Sequence, residues 1–431
     1  MLRTVGAGAL LLLAMLMAAA PAQVAVSPAA GSILRPAPQI DPIQNAAAVR
    51  SGFPAGISRD AFNGPVFKTR TSGQRAAAPG LPRLDAKKSG KSKGHAPITF
   101  RGKLDVEIIY DDNIVRYSND YLDDFRHGRY PYKFAVETYD DLILSPTIDF
   151  EWRKAIITNR QTRLRFRYTR WEYTTNRIKN NEAYSIRLYQ PTWGRDHWDF
   201  GFYVAPLSYI RQLPDHPPFT PSSHDQWVPF KYTYNSLYTK YHRRLNSDFR
   251  IDLRLGRTIR YYNRPLMEND NWEWNYGARL YWYMSRKWRL TLEYRYSDVE
   301  ARGADSVGES RGTSDDSDPS YERDSFELDL RYRPPKGQLW IVDEMILWMG
   351  YMAYYFTSDK VLYRDPYHVG RLDEFYRAEL EFDTEKIYGP INLYGGYRYT
   401  ERTTSAPWKG DIAEDKDYVS NRFWIGVHYP F

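Results

Sequence analysis

The sequence predicts an all-β protein, a transmembrane antiparallel up-and-down β-barrel of about fourteen strands preceded by a disordered tail. Three observations carry this expectation. From Ile98 onward nearly every segment alternates apolar and charged residues with a period of two, as a wall between lipid and water requires. The connections between these segments alternate between short and long in a constant phase. The 37 Tyr and 13 Trp of the 431-residue chain exceed what a soluble core uses, and such amphipathic rings suit the two boundaries of a membrane.

The chain reads as three regions. Residues 1–22 have the form of a secretory signal, with Arg3 as the positive start, Ala9 to Ala19 as the apolar stretch and Ala20-Pro21-Ala22 as a small-residue cleavage site. Residues 23–97 are rich in Ala, Pro, Gly and Ser and carry a basic cluster at Lys87, Lys88, Lys91 and Lys93. This segment has too little apolar surface to offset the entropy of ordering, which predicts a disordered periplasmic tail. Of the formal net charge of +7, residues 1–97 hold +9 and residues 98–431 the remaining −2. A solvated tether is one reading of the tail, and docking to an anionic periplasmic partner is the other. Nucleic acid is not an expected partner of a secreted chain.

Residues 98–431 are the predicted barrel. The strands are expected near Phe100–Tyr110, Leu142–Arg153, Arg163–Tyr173, Ala183–Trp193, Asp199–Arg211, Trp227–His242, Phe249–Tyr262, Trp274–Ser285, Trp288–Val299, Asp324–Arg333, Trp340–Phe356, Phe375–Thr384, Ile391–Arg402 and Val419–Phe431. Each repeats one theme. The first sets Leu104, Val106, Ile108 and Tyr110 against Lys103, Asp105 and Glu107, and the third sets Leu164, Phe166 and Tyr168 against Arg163, Arg165 and Arg167. Even-numbered connections, such as Arg286-Lys287, are short, and odd ones, such as Asp111 to Asp141 and Glu300 to Arg323, are mostly long. Short periplasmic turns and long external loops explain that phase. Trp152, Trp171, Trp193, Trp198, Trp272, Trp282, Trp288 and Trp340 fall near strand ends and are expected to form the boundary belts.

The charged faces would then line the lumen. Candidate lining residues are Asp105, Glu107, Asp149, Glu151, Arg163, Arg165, Arg167, Arg250, Arg254, Arg295, Asp329, Arg331, Glu379, Glu381, Arg398 and Arg422. Neighbouring strands place the acids Asp149 and Glu151 opposite the arginine ladder of the third strand, and closure places Arg422 beside the acids of the first. Such charges either cross-link the lumen or set up a field that selects charged and dipolar solutes. The outer loops are acidic and could hold divalent cations that bridge to lipopolysaccharide.

The chain has no cysteine, which excludes disulfides, thiolate zinc sites and thiol catalysis. After residue 22 no apolar run is long enough for a helical span. For catalysis the sequence offers Asp111-Asp112, Asp123-Asp124 with His127, His224-Asp225, and His242 near Ser236. None matches a specific motif, so the chain is expected not to be an enzyme. No phosphate loop or metal-ligand spacing is present, and no cofactor is expected.

The final segment places Phe423, Ile425, Val427, Tyr429 and Phe431 on one face and stops on an aromatic residue. With the period-two wall, this resembles the porin-like outer-membrane β-barrels of Gram-negative bacteria. That resemblance implies an outer-membrane location, lipid and lipopolysaccharide around the wall, and Phe431 as the signal read by the barrel assembly machinery. It also implies passive diffusion of small polar or charged solutes. The segments Tyr110-Asp111-Asp112-Asn113-Ile114 and Ser420-Asn421-Arg422-Phe423-Trp424 are similar to export-type barrel modules such as surface-lipoprotein assembly modifiers. In that alternative the basic tail recruits a periplasmic partner, although the helical repeats that accompany those modules are missing.

Overall fold

A strand with one apolar and one polar face leaves its edges unpaired in lipid, and the fourteen strands of this chain meet that demand by closing into a ring. The computed structural model describes residues 98–431, apart from 157–159, 193–195, 216–225, 265, 306–307, 315 and 408–409. The expectations for the signal segment and the basic tail lie outside the described residues.

The strands are β1 (Thr99–Asp111), β2 (Asp141–Ala155), β3 (Gln161–Tyr173), β4 (Asn181–Pro191), β5 (His197–Asp215), β6 (Gln226–Arg244), β7 (Phe249–Tyr262), β8 (Asn271–Trp282), β9 (Trp288–Ala301), β10 (Tyr321–Tyr332), β11 (Val342–Phe356), β12 (Leu372–Tyr388), β13 (Ile391–Ser405) and β14 (Tyr418–Pro430). Every strand pairs antiparallel with its sequence neighbours, and β1 pairs with β14 from Lys103 opposite Pro430 to Asp111 opposite Arg422. This is a closed antiparallel up-and-down barrel, as the alternation predicts. Several strands run past their predicted ends, β5 and β12 most of all, because ladder pairing continues where the alternation fades.

Parity sorts the side chains. On the outer face Ile186, Leu237 and Ile425 are half or more exposed, as are many other large apolar residues. So much exposed apolar surface is stable only against hydrocarbon. At the strand ends Trp198, Trp272 and Trp288 are exposed, and Trp272 donates to Glu300 at 3.0 Å. Trp171 departs from the belt expectation. It faces inward with Ile109 and Ile143, because its position on β3 has the parity of Arg163, Arg165 and Arg167.

The long connection after β1 is itself structured. Ser118 caps α1 (Asn119–Arg126) by accepting from the Tyr121 amide at 3.2 Å. Ile114, Val115, Tyr117, Leu122 and Val136 pack with Tyr209 of β5, so this loop folds over the lumen mouth. A second short helix, α2 (Ile412–Lys416), precedes β14.

The seam is finished by the last residue. Phe431 exchanges both backbone hydrogen bonds with Gly102, at 2.8 and 2.9 Å, and its ring covers the Gly102 Cα, where a Cβ would come within 2.1 Å of the ring. The ring also meets Phe150 edge-on at 6.0 Å between centroids. Replacing Gly102 with Val must therefore displace the terminal ring, and because that ring is more than half exposed the cost lies at the low end of overpacking, about 1 kcal/mol. The expected outcome is a lower melting temperature and a smaller folded fraction in heat-modifiable gel migration. Wild-type behaviour would contradict the packing assigned to Phe431.

Candidate lumen site

Alternation sends charged side chains into a crowded lumen that shields them from much of the water, so most take a partner. The register supplies most of them. Asp149 lies opposite Arg167 and Glu151 opposite Arg165. Asp149 takes both guanidiniums, Arg167 at 2.8 Å and Arg165 along the diagonal, while Glu151 turns to Arg153 of its own strand. Arg163 stacks over Tyr189 at 4.9 Å. Asp105 bonds Lys103 at 2.8 Å and His428 of β14, and the half-buried Glu107 lies opposite Gly426.

The other candidates follow the same rule. Arg250 pairs with Asp252 at 3.0 Å and lies 3.8 Å above the Tyr281 ring, and Arg254 stacks on Tyr238 at 4.8 Å. Arg295 meets Glu293 at 2.5 Å, Arg331 meets Glu344 at 2.9 Å, and Asp329 lies 3.9 Å from Arg289. Glu379 accepts from Arg398 at 2.6 Å, and Glu381 is buried on the same face of β12. Arg422 binds Asp111 at 2.7 Å, not Asp105 or Glu107, because the antiparallel seam carries it to the far end of β1.

Sequence reasoning missed three clusters. Glu273 is clamped between Arg260 at 2.7 Å and Arg323 at 2.6 Å, and all three side chains are almost wholly buried. Asp373 holds Arg371 and Arg402, each at 2.7 Å. His242 bridges Asp199 and Asp252, both at 2.7 Å, with Arg187 also on Asp199. Each cluster joins strands or loops that are separate in sequence, so only shared parity and register could have brought its members together on paper. Of the catalytic pairings, one is brought together: His127 lies 3.1 Å from Asp123 at the end of α1, where both side chains are half or more exposed. His242 is spent on its two carboxylates, Ser236 is bonded to Thr258 at 3.2 Å, and His224-Asp225 lies outside the described residues.

The outer mouth has a different character. On the inner face lies a small recess of about 70 Å³, with Trp171, Tyr203, Tyr232, Tyr234, Asn181 and Arg422 in its wall. It sits beside a bulge. The β5–β6 register slips between Ala205 and Ser208, with Leu207 in the left-handed region at φ 48°, and this turns Ser208 inward. Arg116, also left-handed at φ 56°, is held by Asp111 at 2.9 Å and the Asn113 carbonyl at 2.9 Å. Arg211 of β5 donates across the mouth to the Arg116 carbonyl at 3.1 Å.

Lys179, in the loop between β3 and β4, is buried against the Tyr209 ring at 5.6 Å. Its partner among the described residues is a carbonyl, that of Ile210 at 3.5 Å. Burial, reinforced by Arg116, Arg211 and Arg422, pulls its ammonium down to about 7 from the usual 10.5.

No family model matches the chain, and no curated protein matches it. Among solved structures it is similar to the outer-membrane channel DcaP of Acinetobacter baumannii, at 12% identity and a TM-score of 0.39, covering 79% of this chain and 99% of that one. It is also similar to an anion-selective porin from Comamonas acidovorans, at 9% identity and 0.36, covering 78% and 99%. For OprD of Pseudomonas aeruginosa the values are 10% and 0.33, with 77% and 95% covered.

Removing the shared acid from a buried cluster should expose the cost of the pairing. Glu273→Gln leaves Arg260 and Arg323 buried around a neutral amide, and the expected loss of stability is about 3–5 kcal/mol. Glu385→Gln breaks an exposed pair with Lys336 and should cost at most about 1 kcal/mol. Chemical unfolding of both folded variants checks the contrast, and equal losses would contradict it.

Proposed function

We propose that the chain is an outer-membrane channel for passive diffusion of small polar or charged solutes. The observation that carries this reading is the water access kept by lumen charges that are already paired. The side chains of Arg167, Arg250 and Arg289 remain 21%, 28% and 24% exposed on the inner face of a closed ring. A fourteen-strand ring is wider than the eight-strand kind that side chains alone can fill, and paired charges make a polar wall that holds no ion too tightly to release. The apolar outer face supports the outer-membrane location.

The constriction in this reading is the outer mouth, where the loop after β1 crosses to Arg211 and Tyr209. Inserted into planar bilayers, the folded barrel should conduct ions. Shortening residues 119–134 should raise the single-channel conductance while leaving heat-modifiable migration intact. A folded barrel that stays silent with and without that segment overturns the channel reading.

A further inference from the structure

We infer that the inner wall at the β6–β7 seam binds a small divalent oxyanion, a sulfate or phosphate group that is either free or the end of a larger solute. The inference deepens the channel reading and rests on it, because the seam faces the lumen and a solute reaches it by that route.

The register puts like charges together at this seam. Lys240 of β6 lies directly opposite Arg254 of β7, and both take the inner-face parity of Tyr238 and Asp252. Cations directly opposite one another across a ladder repel. Elsewhere on the wall a carboxylate relieves such contacts. Among the described residues neither Lys240 nor Arg254 has a side-chain hydrogen bond or an ion pair closer than 4.0 Å. What they share is the Tyr238 ring, 5.1 Å from the Lys240 ammonium and 4.8 Å from the Arg254 guanidinium. A ring face is a weaker partner for a cation than a hydrogen-bonded anion.

The acids on neighbouring strands are committed elsewhere. Asp199 lies opposite Lys240 on β5, but its carboxylate turns to Arg187 and His242. Glu293 of β9 holds Arg279 and Arg295.

The wall also leaves room. Gly277 of β8 lies opposite Arg254. At Gly201 and Gly256, on the same inner face, a neighbouring side chain fills the glycine's space, Tyr238 and Asn275 respectively. At Gly277 the nearest side-chain atoms, Arg254 Cβ and Arg295 Cγ, stand 3.7 Å from where a Cβ would be. Lys240 and Arg254 each keep part of their surface open to the lumen. An ammonium and a guanidinium beside such a gap suit an oxyanion, since the fork takes two oxygens and the ammonium a third. Two cations gathered about one ring match two charges on one centre, which sulfate and phosphate groups carry and nitrate does not.

Titration calorimetry on the detergent-folded full barrel tests the site without reference to conduction. The probes are sulfate, glycerol phosphate and nitrate at one ionic strength. Sulfate is expected to bind on the order of tenfold tighter than nitrate. Lys240→Met and Arg254→Met should each bring sulfate down to the nitrate level, whereas Lys336→Met, which removes the same charge from an exposed turn, should leave it unchanged. Gly277→Leu should weaken sulfate with both cations kept, because the new side chain fills the gap. Sulfate without glycerol phosphate supports a site for the free ion, and both together support a site that also takes the ester. Nitrate equal to sulfate, or an equal loss in Lys336→Met, overturns the proposal. A wild-type barrel that binds none of the three overturns it even if the variants cannot be folded. A barrel that binds sulfate but does not conduct defeats only the channel, and one that conducts without binding sulfate defeats only the site.

Discussion

The constraint beneath this structure is the absence of water from the hydrocarbon core of a membrane. A backbone amide or carbonyl there has no solvent to turn to, so each must find a partner within the chain. Pairing β1 with β14 removes the last two free edges. Once the ring is closed, parity does the rest, because adjacent residues must face lipid and lumen in turn. The same constraint that leaves Leu237 and Ile425 outside drives Glu273, Arg260 and Arg323 inside.

Charges forced inward must then be paired, and the pairing gives the lumen its two zones. In the half nearer the short turns, acids and arginines hold one another across neighbouring strands, as Asp149 does with Arg165 and Arg167. Toward the outer mouth the balance tips. The loops outside are acidic, yet beneath them Arg116, Lys179, Arg211 and Arg422 gather around Asp111, with aromatic rings between. A lysine whose burial brings it down to about 7 belongs to a region that is both dry and positive.

The parts of this arrangement legible in the sequence are those that a two-residue period encodes. Strand identity, the inward face, the Asp149-to-Arg167 ladder and the approach of the last strand to the first all follow from alternation and antiparallel order. Period two gives the face but not the height or the rotamer. It therefore did not tell that Arg422 would reach Asp111 and not Asp105, or that Glu151 would choose Arg153 on its own strand. Trp171 was misread for a related reason: proximity to a strand end outweighed its parity. The recess was invisible because it depends on a bulge at Leu207 that turns Ser208 inward, and a bulge leaves no local signature.

Because the chain has no cysteine, its closure can be tested by adding two. Ile108 and Ile425 lie directly opposite across the β1–β14 seam, at a separation a disulfide can bridge. Folded in detergent and mildly oxidised, I108C/I425C should form an intramolecular crosslink in high yield, while I108C/Y429C, displaced along the strand, should form little. Efficient crosslinking of the displaced pair, or none in the matched pair of a protein shown to be folded, would contradict closure at this seam.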